Sequence, residues 1–371
     1  MVVNVITRHA PANYGSLLQT IATQKIITEL GYECQIIHYI PKCESAARIA
    51  RTQLSQKPEW NQNPWKKWLY LLVREPENFL MYRKFSSMRQ NYLALGPLCE
   101  SEEDLRKQYA HRSEDVFLTG SDQVWGPIST GRYDPAYFLN FAPEAARKMA
   151  FASSFGKAAF DTQTLDEYAD YLKKYDSIAV REKSAVDIVQ KMGLHAHQVL
   201  DPTLLVTAKE WESYLFPVKK PEKYILVYQI HRNPALDRYA QQFAQHVGLP
   251  LVRVSPLLHQ IRRSGKLVYL PDIGGFLDLI HNAAWLITDS FHGTAFAINF
   301  NTQFVEVLPN TGTSSRNQSI LELTGLTDRI VCDLNDFDGL TKKIDFSNAN
   351  RILAQEREAA LARLQKMLGR N

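Results

Sequence analysis

Residues 286–300 read LITDSFHGTAFAINF, an apolar run that is interrupted by the polar stretch DSFHG and then resumes with a different spacing. The first residues are typical of the end of a buried strand, and residues 294–300 are typical of the start of a packed helix. His292 and Gly293 are therefore predicted to lie at the junction between the two. In open α/β sheets, ligands bind at such junctions because free N–H groups and the positive end of the helix dipole point outward. The stretch predicts an anion-binding site.

The composition indicates two domains and no nucleic-acid partner. The chain has 371 residues, of which 45% are hydrophobic, and single cores rarely grow beyond about 250 to 300 residues. The net charge of +4 is small for this length, and opposite charges are interspersed. Binding of an anionic small molecule is sufficient to explain this small positive charge, and no nucleic-acid partner is required. The four cysteines form no CxxC pair, which fits neither a disulfide framework nor a zinc site.

The chain shows no sign of a targeting or membrane-spanning segment. It opens with MVVNVIT, which reads directly as a strand, and no later apolar run approaches the roughly 18 residues of a membrane span. We therefore expect a cytoplasmic protein in a reducing compartment.

Predicted strands and helices alternate along the chain, a pattern that is typical of parallel sheets flanked by helices. The first such unit has a strand at 2–7, an amphipathic helix at 16–30 that ends at Gly31, and a strand at 34–39. Further strands are predicted at 116–120, 148–153, 177–181, 198–200, 224–230, 250–254, 284–288 and 303–307.

The alternation predicts an N-terminal α/β domain at 1–210, a C-terminal α/β domain at 211–349 and a final helix at 350–371. Residues 41–100 fit the pattern less well and are predicted to form a helical insertion in the first domain. This insertion carries tryptophans among lysines and arginines. The favoured interpretation is that they pack against the sheet, and the alternative is contact with a membrane surface or a lipid-linked glycan. The tryptophans are Trp60, Trp65 and Trp68.

Several motifs in series resemble the polysaccharide pyruvyl transferase family over residues 13–329. The resemblance implies a GT-B-like α/β fold with two facing Rossmann-like domains, parallel sheets and a C-terminal helix that crosses back. It also implies transfer of a pyruvyl (carboxyethylidene) group from phosphoenolpyruvate to a sugar of a cell-surface or exopolysaccharide precursor, which forms a ketal. The motifs are NYGSLLQ at 13–19, GSDQVW at 120–125, AVREKS at 179–184 with LDPTLL at 200–205, DSFHGTAF at 289–296 and TGTSSRNQSILELTGLTDR at 311–329.

The implied reaction requires cations for a phosphate and a carboxylate, an acid for the methylene carbon and a base for the sugar hydroxyls. His292 lies where the resemblance implies the donor site and is the predicted proton donor, with phosphate binding as its alternative role. Asp122 follows a predicted strand and is the predicted base, with capping of the next segment as its alternative.

Two arginines are candidate ligands for the anionic groups. Arg181 directly follows a predicted strand, where its guanidinium could bind a carboxylate or phosphate through two hydrogen bonds; its alternative is a salt bridge to Glu182 or another surface acid. Arg316 opens a predicted helix, and its alternative is a solvated arginine at an ordinary helix start. Ser290 departs from the family, because many members have an arginine there. One cation of the expected phosphate clamp is then missing unless Arg316, Lys183 or Arg232 supplies it. Two alternatives stay open: the same reaction with a rebuilt clamp, or a different donor.

The remaining candidates concern the acceptor and the space for substrate. Asn13, Tyr14 and Gly15 lie in the turn after the first strand, and they are predicted to bind sugar hydroxyls together with Ser121. The alternative for this turn is that it only starts the helix. Gly293 is expected to leave room for the substrate. The resemblance implies phosphoenolpyruvate as donor and a free or lipid-linked sugar as acceptor, and no cofactor or metal ion is expected.

Two other functions stay open at this point. A GT-B nucleotide-sugar glycosyltransferase would need an acidic residue for the ribose hydroxyls and a Gly-rich diphosphate loop in the second domain, and Gly274 and Gly275 are only a faint trace of that loop. A non-catalytic carbohydrate-binding relative would have kept the fold and lost the phosphate clamp, as Ser290 permits. Release of phosphate in the presence of an acceptor distinguishes the second of these from an enzyme.

Overall fold

The structure is a computed structural model that describes residues 1–157, 159–308 and 314–369. It divides into two compact units: Met1–Pro202 with Ala362–Asn371 form unit 1, and Thr203–Leu361 form unit 2. The sequence placed the boundary after residue 210 and treated 350–371 as a separate helix. In the structure the boundary follows Pro202, and the last helix is shared by the two units.

Unit 1 contains a six-stranded parallel sheet with the strand order β2-β1-β3-β4-β5-β6. The chain moves from β1 to one neighbour and then crosses back to place β3 on the other side of β1. Ligands of open α/β sheets bind at the carboxyl ends of the strands where the order reverses in this way. The strands are β1 (Val2–Ile6), β2 (Glu33–Ile36), β3 (Val116–Thr119), β4 (Arg147–Ser153), β5 (Ser177–Val180) and β6 (His197–Gln198).

The helices of unit 1 connect these strands as the alternation predicts. The first helix ends just before Gly31, whose φ of +87° is the left-handed conformation that glycine adopts most easily. The helices before the unit boundary are α1 (Tyr14–Glu29), α2 (Ile49–Ser55), α3 (Pro58–Asn61), α4 (Pro64–Tyr92), α5 (Glu102–Tyr109), α6 (Thr162–Leu172) and α7 (Lys183–Lys191), and α8 (Pro202–Leu205) begins at the boundary.

The insertion between β2 and β3 is helical, as predicted, and α4 is its main element. One face of α4 is buried, with Phe85 fully covered. The prediction that the three tryptophans pack against the sheet is wrong, because Trp60, Trp65 and Trp68 are 39%, 79% and 57% exposed. None of the helices in the described part of the chain has an apolar stretch long enough to cross a membrane.

Unit 2 contains a five-stranded parallel sheet with the strand order β11-β10-β7-β8-β9. The order reverses between β7 and β10, so the carboxyl ends of these two strands form the second place where a ligand is expected. The short strand β9 was missed by the sequence analysis. The strands are β7 (Ile225–Tyr228), β8 (Leu251–Ser255), β9 (Lys266–Tyr269), β10 (Trp285–Thr288) and β11 (Phe304–Glu306).

The last helix of the structure begins in unit 2 and ends in unit 1. At its carboxyl end, the Arg147 guanidinium donates hydrogen bonds to the carbonyl oxygens of Met367, Leu368 and Gly369 at 2.6, 3.1 and 3.1 Å. A cation at this position also opposes the negative end of the helix dipole. The remaining helices are α9 (Ala208–Glu212), α10 (Pro234–Val247), α11 (Ile273–His281), α12 (Phe291–Phe300), α13 (Ser315–Thr324) and α14 (Ser347–Leu368).

Candidate functional site

In unit 1, Asp122 lies at the carboxyl edge of the sheet, just beyond β3. Its φ of +77° is in the left-handed region, which is uncommon for residues other than glycine and which concentrates at functional sites. The carboxylate accepts hydrogen bonds from Ser16 Oγ at 2.5 Å and from the Gln123 N–H at 2.9 Å. Asp122 is only 9% exposed. The backbone conformation therefore holds this carboxylate against the first turn of α1.

Arg181 follows β5, as predicted, but its guanidinium is buried between carboxylates. It donates to Asp201 Oδ2 at 2.7 Å and lies 3.5 Å from Glu182 Oε2. Hydroxyl groups complete the arrangement, because Ser121 Oγ donates to Asp201 at 2.8 Å and Ser154 Oγ donates to Glu182 at 2.6 Å. The structure therefore agrees with the alternative interpretation of Arg181, in which it forms a salt bridge with Glu182 and a second acid. The second acid is Asp201, which is buried and not on the surface.

Buried carboxylates in unit 1 raise the pKa values of two nearby arginines. Burial by itself would lower the pKa of Arg181, but the carboxylates of Asp201, Glu182 and Asp122 raise that pKa above its ordinary value. The pKa of Arg8 is raised in the same way, against the effect of burial, with Asp122 among its causes. Two guanidinium groups therefore attract the Asp122 carboxylate.

The predicted acceptor residues form the start of α1. Asn13 Oδ1 accepts hydrogen bonds from the N–H groups of Gly15 at 2.8 Å and Ser16 at 3.3 Å, so Asn13 caps the helix. Tyr14 is fully buried, and its ring centroid lies 5.1 Å from that of Phe85. This arrangement matches the alternative interpretation of a turn that starts a helix. Sugar binding by these residues stays a prediction.

The sequence analysis missed functional candidates in the loop after β1. Arg8 Nη2 donates to Glu44 Oε1 at 3.0 Å, and its guanidinium lies 5.5 Å from the centre of the Tyr137 ring. His9 is fully buried, and its Nδ1 is 3.1 Å from the Thr7 carbonyl oxygen. Burial and the nearby charge of Arg89 lower the pKa of His9 to about 3. The signal that could have found Arg8 is its position directly after a strand, at the same edge as Asp122.

In unit 2, Asp289 joins the ends of the two strands between which the strand order reverses. Its side chain follows β10 and accepts hydrogen bonds from the backbone N–H groups of Ile230 at 2.8 Å and His231 at 3.1 Å, which lie just beyond β7. His231 Nδ1 lies 3.5 Å from the same carboxylate. This acidic residue therefore fixes the backbone at the carboxyl edge of the second sheet.

The predicted junction between a strand and a helix is confirmed at β10 and α12. Ser290 caps the helix, because its Oγ accepts a hydrogen bond from the Gly293 N–H at 3.3 Å. His292 is the second residue of α12, is 5% exposed, and its ring packs edge-on against Phe291 with a centroid distance of 5.2 Å. The serine that replaces the common arginine thus has a defined structural role here.

The absent side chain of Gly293 makes room for neighbouring protein atoms. A Cβ atom at this position would lie 2.5 Å from Thr288 Oγ1 and 3.1 Å from Tyr228 Cδ1. The glycine is therefore required for α12 to pack on β10 and β7. Thr288 and Tyr228 fill the space next to Gly293 where a side chain would lie, so that space is not open to a substrate. Contact between the Gly293 backbone and a substrate stays a prediction.

Glu306 is a buried acid that the sequence analysis missed, and it links α12 to α13. Its carboxyl group accepts a hydrogen bond from Asn317 Nδ2 at 2.7 Å and is in hydrogen-bond contact with the Thr294 hydroxyl. That hydroxyl also lies 3.1 Å from the Ser290 carbonyl oxygen. A hydroxyl has one proton to donate, so a protonated Glu306 satisfies both contacts. Burial raises the pKa of Glu306 to about 8.

Arg316 is the second residue of α13 and is 8% exposed, so the alternative of a solvated arginine is wrong. Its neighbour Asn317 is held by Glu306. The start of the motif TGTSSRNQS, residues 311–313, lies outside the described residues. Within the described ranges, no group of three or more His, Cys, Asp or Glu side chains is arranged to hold a metal ion.

The variant Glu306→Gln is expected to change how stability depends on pH. The pKa of Glu306 rises from 4.5 to about 8 on folding, so between these values the folded protein keeps a proton that the unfolded chain has released. The contribution of Glu306 to the free energy of unfolding is therefore fully present below this window and falls as pH rises through it, by up to about 1.4 kcal/mol per unit. Glutamine keeps the hydrogen bonds without titrating.

Urea unfolding of both proteins across this pH range measures the effect. The wild type should lose stability relative to Glu306→Gln as pH rises, and the two should run parallel above about pH 8. Stability curves that stay parallel throughout would show that Glu306 is ionised in the folded protein at neutral pH.

The two parallel sheets are typical of the GT-B-like fold, and comparison with solved structures supports this fold. MnaA of S. aureus, solved with UDP, has a TM-score of 0.52 at 10% identity, over 98% of this chain and 95% of that one. UGT89C1 of Arabidopsis thaliana, complexed with UDP-L-rhamnose, has a TM-score of 0.53 at 8% identity, over 99% of each chain. At such identities the likeness shows the fold alone. The predicted GT-B-like fold is confirmed.

The family follows from the sequence. Residues 13–311 match the family described as polysaccharide pyruvyl transferase. The chain belongs to this family, as its motifs predicted. None of the curated proteins matches the sequence of the chain.

Proposed function

We propose that the protein transfers a pyruvyl group from phosphoenolpyruvate to a sugar of a polysaccharide precursor. The observation that carries the proposal is the family match over residues 13–311. In the reaction, two sugar hydroxyl oxygens form bonds to C2 of phosphoenolpyruvate, and the bond from C2 to the phosphate oxygen breaks. The two sugar hydroxyls together lose two protons. One proton is taken up when the methylene carbon becomes a methyl group, so one is left over, and this proton leaves with inorganic phosphate.

In this proposal, unit 2 supplies the groups that act on the donor. His292 delivers the proton to the methylene carbon from the first turn of α12, where its low exposure limits competition from water. The amino end of α12 and the guanidinium of Arg316 attract the phosphate. Because Ser290 caps the helix and carries no charge, Arg316 replaces the cation that many family members place at position 290.

Unit 1 supplies the groups that act on the acceptor. Asp122 removes a proton from an attacking sugar hydroxyl, and its strained backbone and contact with Ser16 fix the direction of its carboxylate. Arg181 would have to leave Asp201 or Glu182 in order to bind an anion itself. Its proposed role is therefore to hold these carboxylates and the nearby charge of Asp122 in place.

The glycosyltransferase alternative loses the one sequence feature that favoured it. Gly274 and Gly275 are the second and third residues of α11, so they belong to the first turn of the helix and not to a loop before it. A Cβ atom on Gly274 would lie 2.3 Å from the Tyr214 carbonyl oxygen, and one on Gly275 would lie 2.7 Å from Val218 Cγ1. Both glycines are explained by the close approach of the segment that precedes β7.

Mass spectrometry of the full-length protein with phosphoenolpyruvate and a panel of lipid-linked and nucleotide-linked sugars tests the proposal. One sugar should gain the mass of a carboxyethylidene group, with an equal amount of inorganic phosphate released. The same mixture without a sugar acceptor is the control, and it should release no phosphate.

Two results would contradict the proposal. Stabilisation against heat by uridine diphosphate but not by phosphoenolpyruvate would favour the glycosyltransferase, since a ligand that binds only the native state raises its stability. Sugar binding without release of phosphate across the panel would favour the non-catalytic relative.

A further inference from the structure

Helix α4 has a second apolar face that does not pack on the protein. Its buried face includes Tyr70, Met81 and Phe85. With about 100° between successive residues, seven exposed apolar side chains form an arc of about 140° on the opposite side of the helix. These residues, which we call the α4 stripe, are Trp65, Trp68, Leu69, Leu72, Val73, Phe79 and Leu80, and they are 79%, 57%, 50%, 54%, 59%, 60% and 53% exposed.

Single exposed apolar residues are common on protein surfaces, but a continuous row of large ones is not. The α4 stripe runs from Trp65 to Leu80, a length of about 22 Å along the helix. No described residue of the chain covers it. Such a surface indicates a partner that replaces water over the whole row.

The charges around the α4 stripe indicate an anionic partner. Residues 57–84 contain six lysines and arginines but three glutamates. Glu75 lies 3.3 Å from Arg51, and Glu77 lies 2.6 Å from Arg74, so two of these acids are already paired with arginines. The exposed cations on the side of the stripe are Lys66 and Arg83. A second copy of this positively charged surface would be repelled in a symmetric contact, because each face would meet its own charges.

The aromatic residues favour a lipid surface as the anionic partner. Trp65 and Trp68 are neighbours, with ring centroids 6.3 Å apart, and both are exposed at the amino end of the stripe. Indole rings prefer the boundary between water and hydrocarbon, since they combine an apolar body with a polar N–H group. Tryptophan, phenylalanine and leucine on one side of a helix, with lysine and arginine beside them, are typical of helices that lie in a membrane interface.

We propose that the α4 stripe docks unit 1 on an anionic lipid bilayer. The apolar side chains enter the boundary between head groups and acyl chains, while Lys66 and Arg83 contact lipid phosphates. A pocket of about 270 Å³ shares Phe79 and Arg83 with this surface, so one lipid head group can be held at the carboxyl end of the stripe. The inference does not depend on the proposed reaction.

Sedimentation of the full-length protein with vesicles tests the inference. The protein should bind vesicles of phosphatidylcholine mixed with phosphatidylglycerol more tightly than vesicles of phosphatidylcholine alone, and salt should weaken the binding. The double variant Trp65→Ser, Trp68→Ser should reduce affinity at least about tenfold. Because both tryptophans are mostly exposed, the variant should keep its fold.

Two further variants separate the stripe from general effects. Phe216→Ser removes an aromatic side chain that is 67% exposed but lies in unit 2, and it should leave vesicle binding unchanged. Lys66→Glu with Arg83→Glu leaves the tryptophans in place, and it should remove the preference for phosphatidylglycerol.

Several outcomes would overturn the inference. They are absence of binding by the wild type, equal binding to both kinds of vesicle, and unchanged binding by both stripe variants. A dimer that does not bind vesicles and that the tryptophan variant dissociates would instead make the stripe an interface between two copies. If circular dichroism shows the tryptophan variant to be unfolded, vesicle binding by the variant with both charge reversals decides.

Discussion

His292→Asn is expected to turn over phosphoenolpyruvate at least about a hundred times more slowly than the wild type, while binding it within a few-fold of wild-type affinity. A proton donor acts only in the transition state, so its loss reduces turnover rather than binding. Asparagine keeps the approximate size of the side chain and one hydrogen-bonding group, but it has no proton to give. Steady-state kinetics and direct titration of phosphoenolpyruvate measure the two quantities separately.

A second histidine in the same unit provides the control. His281 lies in the last turn of α11, with its ring centroid 5.0 Å from that of Phe300, so it is away from the edge where His292 lies. His281→Asn should keep wild-type turnover. If His292→Asn instead loses donor binding with little change in turnover, and acidification strengthens binding by the wild type, the histidine acts as a cation for the phosphate.

Arg181→Met is expected to destabilise the protein by about 3 to 5 kcal/mol. The substitution leaves Asp201 and Glu182 buried without the cation that lies between them, and an uncompensated buried charge is costly. Arg181→Lys should be milder in stability but should still reduce turnover at least about tenfold. One ammonium group cannot reproduce the planar geometry in which a guanidinium binds two carboxylates. Urea unfolding and turnover should be measured on both variants.

Arg147 provides a matched control for these variants. It is in the same sheet, but at the amino end of β4, where it binds backbone carbonyl oxygens. Arg147→Lys should therefore lower stability without lowering turnover. Wild-type kinetics in Arg181→Lys would show that the reaction does not depend on the geometry of the guanidinium.

The local parts of the fold could be predicted because their signals lie within a few residues. The change of spacing within residues 286–300 located both the end of β10 and the start of α12. Gly31 marked the end of α1, because the signal for the end of a helix also lies within a few residues. Each of these features is decided by the backbone preferences and burial of neighbouring residues.

The partners of the charged residues could not be predicted, because they depend on which strands become neighbours. Asp201 is 20 residues from Arg181 and meets it only when the sheet has formed. Glu306 looks like an ordinary surface acid in the sequence QFVEV, yet it is fully buried beside α12 and α13. The prediction that the three tryptophans pack against the sheet was wrong for another reason. An apolar pattern on both sides of a helix does not tell which side faces the core.

The shared helix α14 has a consequence for the order in which the protein is made. Arg147 binds the carbonyl oxygen of Gly369, which is 222 residues further along the chain, and all of unit 2 is synthesised between these two positions. On the ribosome, unit 1 would therefore emerge first but obtain its final contacts after unit 2. A nascent chain in this interval has a sheet that lacks one of its supporting segments. Chaperones would be expected to meet unit 1 in that incomplete form.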